Sequence, residues 1–181
     1  MHVSLPLYHH NGYTVLPLPE ALSSALPSRG PVMVEGTLNG IPFRSVLEPD
    51  GRKGHCLILE PALAAQLPLD TPVALTLSVS DDWGEASLPT DMQRVLEATP
   101  ELWAVWEDLT PLARWEWLRW VRDTASAATR AKRLRVMQDQ LQHGKRRPCC
   151  FDHARCTLPA IAKGGKLAIE NTATVSGTTS E

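Results

Sequence analysis

The stretch VMVEGTLNGIPFRSVL (Val32–Leu47) reads as two strands and a turn. Val32, Val34, Gly36 and Leu38 alternate with Met33, Glu35 and Thr37, the period of a half-buried strand. Asn39-Gly40 follows, the strongest two-residue hairpin signal, because both central residues of that turn take positive φ. Ile41 to Leu47 returns as the partner. Pro42 removes a backbone donor near its start, so that end belongs at a sheet edge or a bulge.

On either side the same grammar repeats. Tyr13 to Leu18, His55 to Leu59 and Pro72 to Ser80 are β-prone, and Val73, Leu75, Leu77 and Val79 alternate cleanly. Ala86 to Leu88 is a candidate last strand. Pro19 to Leu26 and Glu60 to Leu67 are short helices opened by prolines. Short strands with turns every 8–12 residues point to a small barrel or sandwich, and closure would remove exposed edges. Val34, Leu38, Leu75 and Leu77 are expected in one β-core.

The character changes at Pro89-Thr90-Asp91. Thr90, Thr99-Pro100 and Thr110-Pro111 each supply a helix start, with Thr as N-cap. From Leu112 to His143 neither Gly nor Pro intervenes. Leu118, Val121, Ala125, Ala128, Ala131, Leu134, Met137 and Leu141 form a stripe for one helix, or for two joined near Thr124 to Ser126. Gly144 is the expected C′ residue. Beyond Ile161 the chain is Gly, Ser, Thr, Ala and Lys with little apolar content, which predicts disorder.

The expected fold class is therefore α+β. A small β-barrel spans residues 1–88, a bundle of three to four helices spans 89–156, and a disordered tail spans 157–181. No strand is expected after Pro111, and no long helix before Glu60.

Composition bounds the function. Apolar residues are 43% of 181, enough for a core. A net charge of −2 excludes a uniformly basic nucleic-acid binder. Four cysteines are too few for a disulfide scaffold. No apolar run approaches the ~20 residues of a membrane span. MHVSLPLY (Met1–Tyr8) has none of the marks of an export signal, so a cytoplasmic location with reduced thiols is expected. The charge is uneven. Met1 to Pro111 holds 5 Lys/Arg against 14 Asp/Glu, net −9; Leu112 to Cys156 holds 11 against 4, net +7. Either the two halves pack together or solvate separately, or the basic half meets an anionic partner.

Several segments, in order, resemble a known pairing. Val34 to Arg44 looks like the hairpin of a small β-barrel domain of unknown function. Leu88-Pro89-Thr90-Asp91 with Val95-Leu96 looks like the junction that follows it. Trp106 to Pro111, Trp117 to Val121 and Thr129 to Leu134 resemble the helical part of the YdeI/OmpD-associated, or bacteriocin-protection, family. The resemblance covers Tyr13 to Asp152. It implies a role in stress or bacteriocin tolerance and carries no assigned chemistry. The family pattern has an Ala-Lys pair and a Glu before Thr-Arg; here Thr124-Ala125 and Ala128 stand there, while Thr129, Arg130 and Arg133 are kept. A function resting on a Lys–Glu–Arg constellation would be weakened.

Five of six tryptophans fall between Trp103 and Trp120, with Trp103/Trp106 and Trp117/Trp120 each three apart on one helix face. They form an aromatic core, or a stacking platform beside Arg119 and Arg122. The basic run Arg130, Lys132, Arg133, Arg135 and Lys145-Arg146-Arg147 is either a solvated helix face or a surface for an acidic protein. It can also neutralise nucleic-acid phosphates, but no nucleic-acid-binding motif accompanies it. The expected binding residues are Arg130, Arg133, Lys145, Arg146, Arg147, Trp117 and Trp120. Arg130 is expected to pair internally, with the acidic barrel half as the nearest anionic surface, and Arg133 to face an external partner.

Cys150, His153 and Cys156 stand three apart, a spacing that suits Zn²⁺. A fourth ligand would have to be Cys149, His55 or Cys56, so a plain loop is expected, with no metal and no cofactor. Glu48, Asp50 and Asp81-Asp82 read as turn residues, and His9-His10 as exposed. No nucleophile elbow, phosphate loop or His-Glu-x-x-His helix occurs. The expected function is a non-enzymatic binding or stress-tolerance module. The alternative is an enzyme or metal-dependent protein, with its site at the barrel–helix junction or in Cys149–Cys156.

Overall fold

Asn39 and Gly40 have φ of 49° and 81°, and Asn11 and Gly12 repeat the pair at 48° and 81°. Each Asn-Gly makes a tight hairpin, as positive φ at both central positions requires. In the computed structural model, which describes residues 1–149 and 151–169, these hairpins organise an antiparallel sheet of seven strands. The strands are β1 (His2–Leu5), β2 (Tyr8–His10), β3 (Tyr13–Pro17), β4 (Val32–Leu38), β5 (Ile41–Pro49), β6 (His55–Ile58) and β7 (Val73–Val79). Short helices α1 (Glu20–Ser24) and α2 (Pro61–Ala64) fall where their prolines predict.

The sheet order is β1-β7-β4-β5-β6-β3-β2. Its opposite edges, β1 and β2, are joined by Pro6 and Leu7 alone. Three residue steps from Leu5 to Tyr8 reach at most about 11 Å, so the sheet must curl until its ends nearly meet. No ladder joins β1 to β2, so the expected closed barrel is a curled half-barrel. The predicted core is found: Val34, Leu38, Leu75 and Leu77 share one buried cluster with Leu16, Leu47 and Leu57. The edge position expected for the Pro42 end is also found, because β6 pairs only with Leu47–Pro49 of β5. Gly36 is demanded by packing, since a Cβ there would lie 1.9 Å from the Thr76 carbonyl oxygen.

Two stretches correct the sequence reading. Ala86 to Leu88 forms no strand. Glu48 lies buried in β5, not in a turn, whereas Asp50 does cap its turn, its Oδ1 accepting from Arg52 N at 2.6 Å and Gly54 N at 2.9 Å.

The largest correction concerns residues 157–169, expected to be disordered. Strands β8 (Ala162–Lys163) and β9 (Lys166–Leu167) pair across Gly164-Gly165, both at positive φ. They are strands after Pro111, which the sequence reading excluded. This hairpin belongs to the same compact unit as Met1–Asp81 and His153–Cys156. Leu167 N donates to Asp50 O at 2.7 Å, Cys156 N to Gly165 O at 2.8 Å and Gly51 N to Ala154 O at 3.1 Å. Ile161 and Leu167 are buried. Two apolar anchors and a Gly-Gly turn suffice to order a segment whose average composition is polar. Residues 170–181 of the expected tail lie outside the described residues.

Among its described residues the second unit, Asp82–Asp152 with Thr157–Ala160, holds four helices: α3 (Thr90–Leu96), α4 (Pro100–Glu107), α5 (Pro111–Arg122) and α6 (Ala127–Gln142). Thr99 and Thr110 cap as predicted, accepting from Leu102 N and Ala113 N. Thr90 does not cap; it is already helical, behind Pro89. The long Leu112–His143 pattern is two helices, broken at Asp123–Ser126, with Ser126 capping α6. Gly144 at φ 82° closes α6 as a Schellman turn: Gly144 N donates to Leu141 O and Lys145 N to Gln140 O. One apolar cluster joins the helices through Met92, Leu96, Leu102, Trp106, Trp117 and Met137. Ala125, Ala128 and Ala131 of the predicted stripe are exposed. Among the described residues, no helix is long and apolar enough to cross a membrane.

Leu167→Ala tests the ordered hairpin. A buried Leu truncation is expected to cost about 2–3 kcal/mol in a urea melt. An unchanged midpoint would return the segment to a loose tail.

Candidate functional site

The predicted binding residues divide into structural arginines and an exposed tip. Arg130 on α6 grips Asp91 in the first turn of α3 with two bonds, Nε to Oδ2 at 2.6 Å and Nη2 to Oδ1 at 2.8 Å. The internal role expected for Arg130 is found, but its partner lies within the helical unit. The Arg130 hydrogen bonds hold the Asp91 carboxyl below its ordinary 3.8, against a smaller opposing effect of burial, and raise Arg130 in turn.

Arg133 departs from its expected external role. Its Nη1 donates to Trp120 O at 2.6 Å and Asp123 O at 2.8 Å, and its guanidinium lies 5.4 Å from the Trp120 ring centroid. It therefore caps the carbonyl end of α5, where a cation is favoured. Trp117 is fully buried, with its ring edge-to-face on Trp120 at 5.8 Å, and its Nε1 donates to Arg146 O at 3.1 Å. Trp117 belongs to the apolar cluster of the helices, and Trp120 is partly buried against it.

Lys145, Arg146 and Arg147 are exposed. Arg146 pairs with Asp108 at 3.0 Å, both half or more exposed. Arg147 lies 3.3 Å from Glu116, whose side chain is 5% exposed, so Arg147 neutralises a buried carboxylate. Lys145 and Arg146 line a groove of about 360 Å³ together with Asp108, Ala104, Val105 and Leu141.

Sequence reasoning took Arg119 only as a neighbour of the tryptophans, whereas Arg119 is fully buried on α5 with its guanidinium 5.5 Å from the Phe151 ring centroid. It missed Arg114, which donates from Nε to Trp106 O at 3.1 Å and from Nη2 to Glu107 O. The available signal was position: both lie on α5 among apolar neighbours, where a solvated cation is out of place. In the first unit, His9 Nδ1 and Thr14 Oγ1 are 2.9 Å apart beside a cleft of about 470 Å³ lined by Tyr13, Glu60 and Leu69. Of the possible zinc ligands, Cys150 lies outside the described residues, and Cys149 and Cys156 fall in different units. Among the described residues no group of three or more His, Cys, Asp or Glu is arranged to hold a metal ion.

The apparent charge split dissolves at the unit boundary. Residues 82–152 and 157–160 carry 11 Lys/Arg and 11 Asp/Glu, net 0. The acids of α3, α4 and their flanks pair with the bases of α5, α6 and the segment after α6, as in Asp91–Arg130, Asp108–Arg146 and Glu85–Arg114.

Residues 5–79 match the family model of a domain of unknown function, DUF1905. Residues 85–144 match the model described as bacteriocin-protection, YdeI or OmpD-associated. The chain joins a DUF1905 domain to a YdeI/OmpD-associated domain. No curated protein and no solved structure matches it. The two matches correspond to the half-barrel and to α3–α6, and the YdeI/OmpD-associated match ends at Gly144, where the exposed basic tip begins.

Arg133→Ala should destabilise the protein by about 1–2 kcal/mol, because two helix-end carbonyls lose their donor, with little response to salt. Asp91→Asn should cost about 1 kcal/mol at pH 7, a value discounted for its 44% exposed side chain. A depressed carboxyl stabilises the fold above its unfolded pKa and loses that effect as pH falls through the folded value. The gap between wild type and Asp91→Asn should therefore close below pH 3.8. Urea melts from pH 7 to pH 3 measure both; a gap that widens in acid would contradict the assignment.

Proposed function

We propose that the chain is a non-enzymatic binding module, and that a stress- or bacteriocin-tolerance role of the kind its family description names operates through binding of an acidic partner protein. The observation that carries this reading is the tip after α6. Lys145, Arg146 and Arg147 are consecutive and exposed, and two of them line a groove with Ala104, Val105 and Leu141. The Arg146–Asp108 pair is solvent-exposed, and such pairs contribute little and exchange readily. An acidic segment with an apolar side chain would replace Asp108 on Arg146, engage Lys145 and cover Ala104, Val105 and Leu141. Electrostatic complementarity of this kind sets specificity more than raw affinity. On this reading the module works in the cytoplasm, where thiols are kept reduced.

The test is fluorescence anisotropy with a labelled Glu/Leu peptide and its Gln/Leu counterpart. The acidic peptide should bind in a salt-sensitive way and the neutral one should not. Lys145→Glu should weaken binding about tenfold while leaving the thermal midpoint in place, since Lys145 is exposed. Equal binding by Lys145→Glu would remove the tip as the site.

A further inference from the structure

A second cleft of the helical unit carries the opposite electrostatic character. It has a volume of about 440 Å³ and is lined by Trp103, Trp106, Glu85, Glu107, Gln93 and Arg114, among others. That volume lies within the usual range for small-molecule sites, roughly 300–1,000 Å³. We propose that this cleft binds a small organic ammonium cation.

The charge argument turns on what Arg114 is already doing. Its Nε and Nη2 hold the carbonyls of Trp106 and Glu107 at the end of α4, and its Nη1 reaches Glu85 at 3.4 Å. Its side chain is only 15% exposed, whereas that of Glu85 is 90% exposed. Glu107 is also exposed. The guanidinium is thus turned onto helix carbonyls, and the carboxylates face solvent. Two carboxylates against one guanidinium leave the lining with an excess of negative charge, with Glu85 shared with Arg114 and Glu107 exposed, so a cation is favoured over an anion.

The aromatic argument selects the kind of cation. Trp is the best cation–π residue, and Trp103 is half-buried and lines the cleft. An alkylated ammonium suits such a wall because its methyl groups need no hydrogen-bond acceptors and its charge is diffuse. A metal ion fits less well, since no group of His, Cys, Asp or Glu among the described residues is arranged to hold one. This inference is independent of the basic tip, whose groove has a different lining.

The experiment is titration of the full chain with choline and with its uncharged isostere 3,3-dimethyl-1-butanol, followed by the tryptophan indole N–H signals in NMR. Choline should bind in the millimolar range and weaken in high salt, and the isostere should bind at least about tenfold less well. Glu107→Gln, an exposed change that leaves the fold intact, should weaken choline about threefold or more. Trp103→Leu, which keeps apolar packing, should abolish the response. Lys145→Glu should leave choline binding unchanged, which separates failure here from failure of the tip. Equal shifts with choline and the isostere, no shift up to about 50 mM, or unaltered affinity in Glu107→Gln would each overturn the proposal.

Discussion

The two-residue link Pro6-Leu7 shapes the first unit. It ties the outermost strands of a seven-stranded sheet together, so the sheet has to curl. Curling gathers one face of each strand around a shared interior, where Leu5 and Leu7, on either side of Pro6, are both buried. The ladder stays open between β1 and β2, but the covalent corner does part of the work of closure. Elsewhere the same unit relies on backbone contact that excludes side chains. A Cβ on Gly36 would strike β7, and one on Gly51 would lie 1.9 Å from the Gly165 oxygen of the returning hairpin.

The second unit solves a different problem. Its helices have 7, 8, 12 and 16 residues, lengths at which an isolated helix is marginal or worse in water. Each end exposes carbonyls or amides that need partners. Threonines, a serine and a Schellman glycine supply some of them. Arginines supply others: Arg114 on the end of α4 and Arg133 on the end of α5, while Arg130 ties α6 to the start of α3. These guanidinium contacts act at the helix ends, where they satisfy carbonyls that the apolar cluster cannot.

Most of the fold was legible because its signals are local. Asn39-Gly40 set a register, alternation from Val73 to Val79 set a face, and Thr-Pro pairs set helix starts. Asn11-Gly12 carries the same turn signal as Asn39-Gly40, yet the flanking strands are short and contain His9 and His10, so alternation is weak there. The hairpin at 162–167 was hidden by composition, because two buried anchors, Ile161 and Leu167, scarcely change an average over a polar segment. The candidate site was less legible for a physical reason. Spacing can place Arg130 and Arg133 on adjacent faces of a helix, but whether a guanidinium meets solvent, an acid or a helix-end carbonyl depends on partners 10 to 39 residues away.

Charge counting shows the same limit. Divided at Pro111, the chain looks dipolar, acidic before and basic after. Divided where it folds, the helical unit is neutral, and its opposite charges face one another across its own helices. A neutral unit steers no distant ligand, because beyond a Debye length of about 8 Å its paired charges cancel. Recognition by this unit has to be made at contact range. That requirement favours sites in which a few exposed charges stand beside an apolar or aromatic surface. The α6 tip has Lys145 and Arg146 above Leu141, and the cleft by α4 has Glu85 and Glu107 beside Trp103. Each combines a sign with a surface, and it is the surface that distinguishes either one from the solvated charges over the rest of the unit.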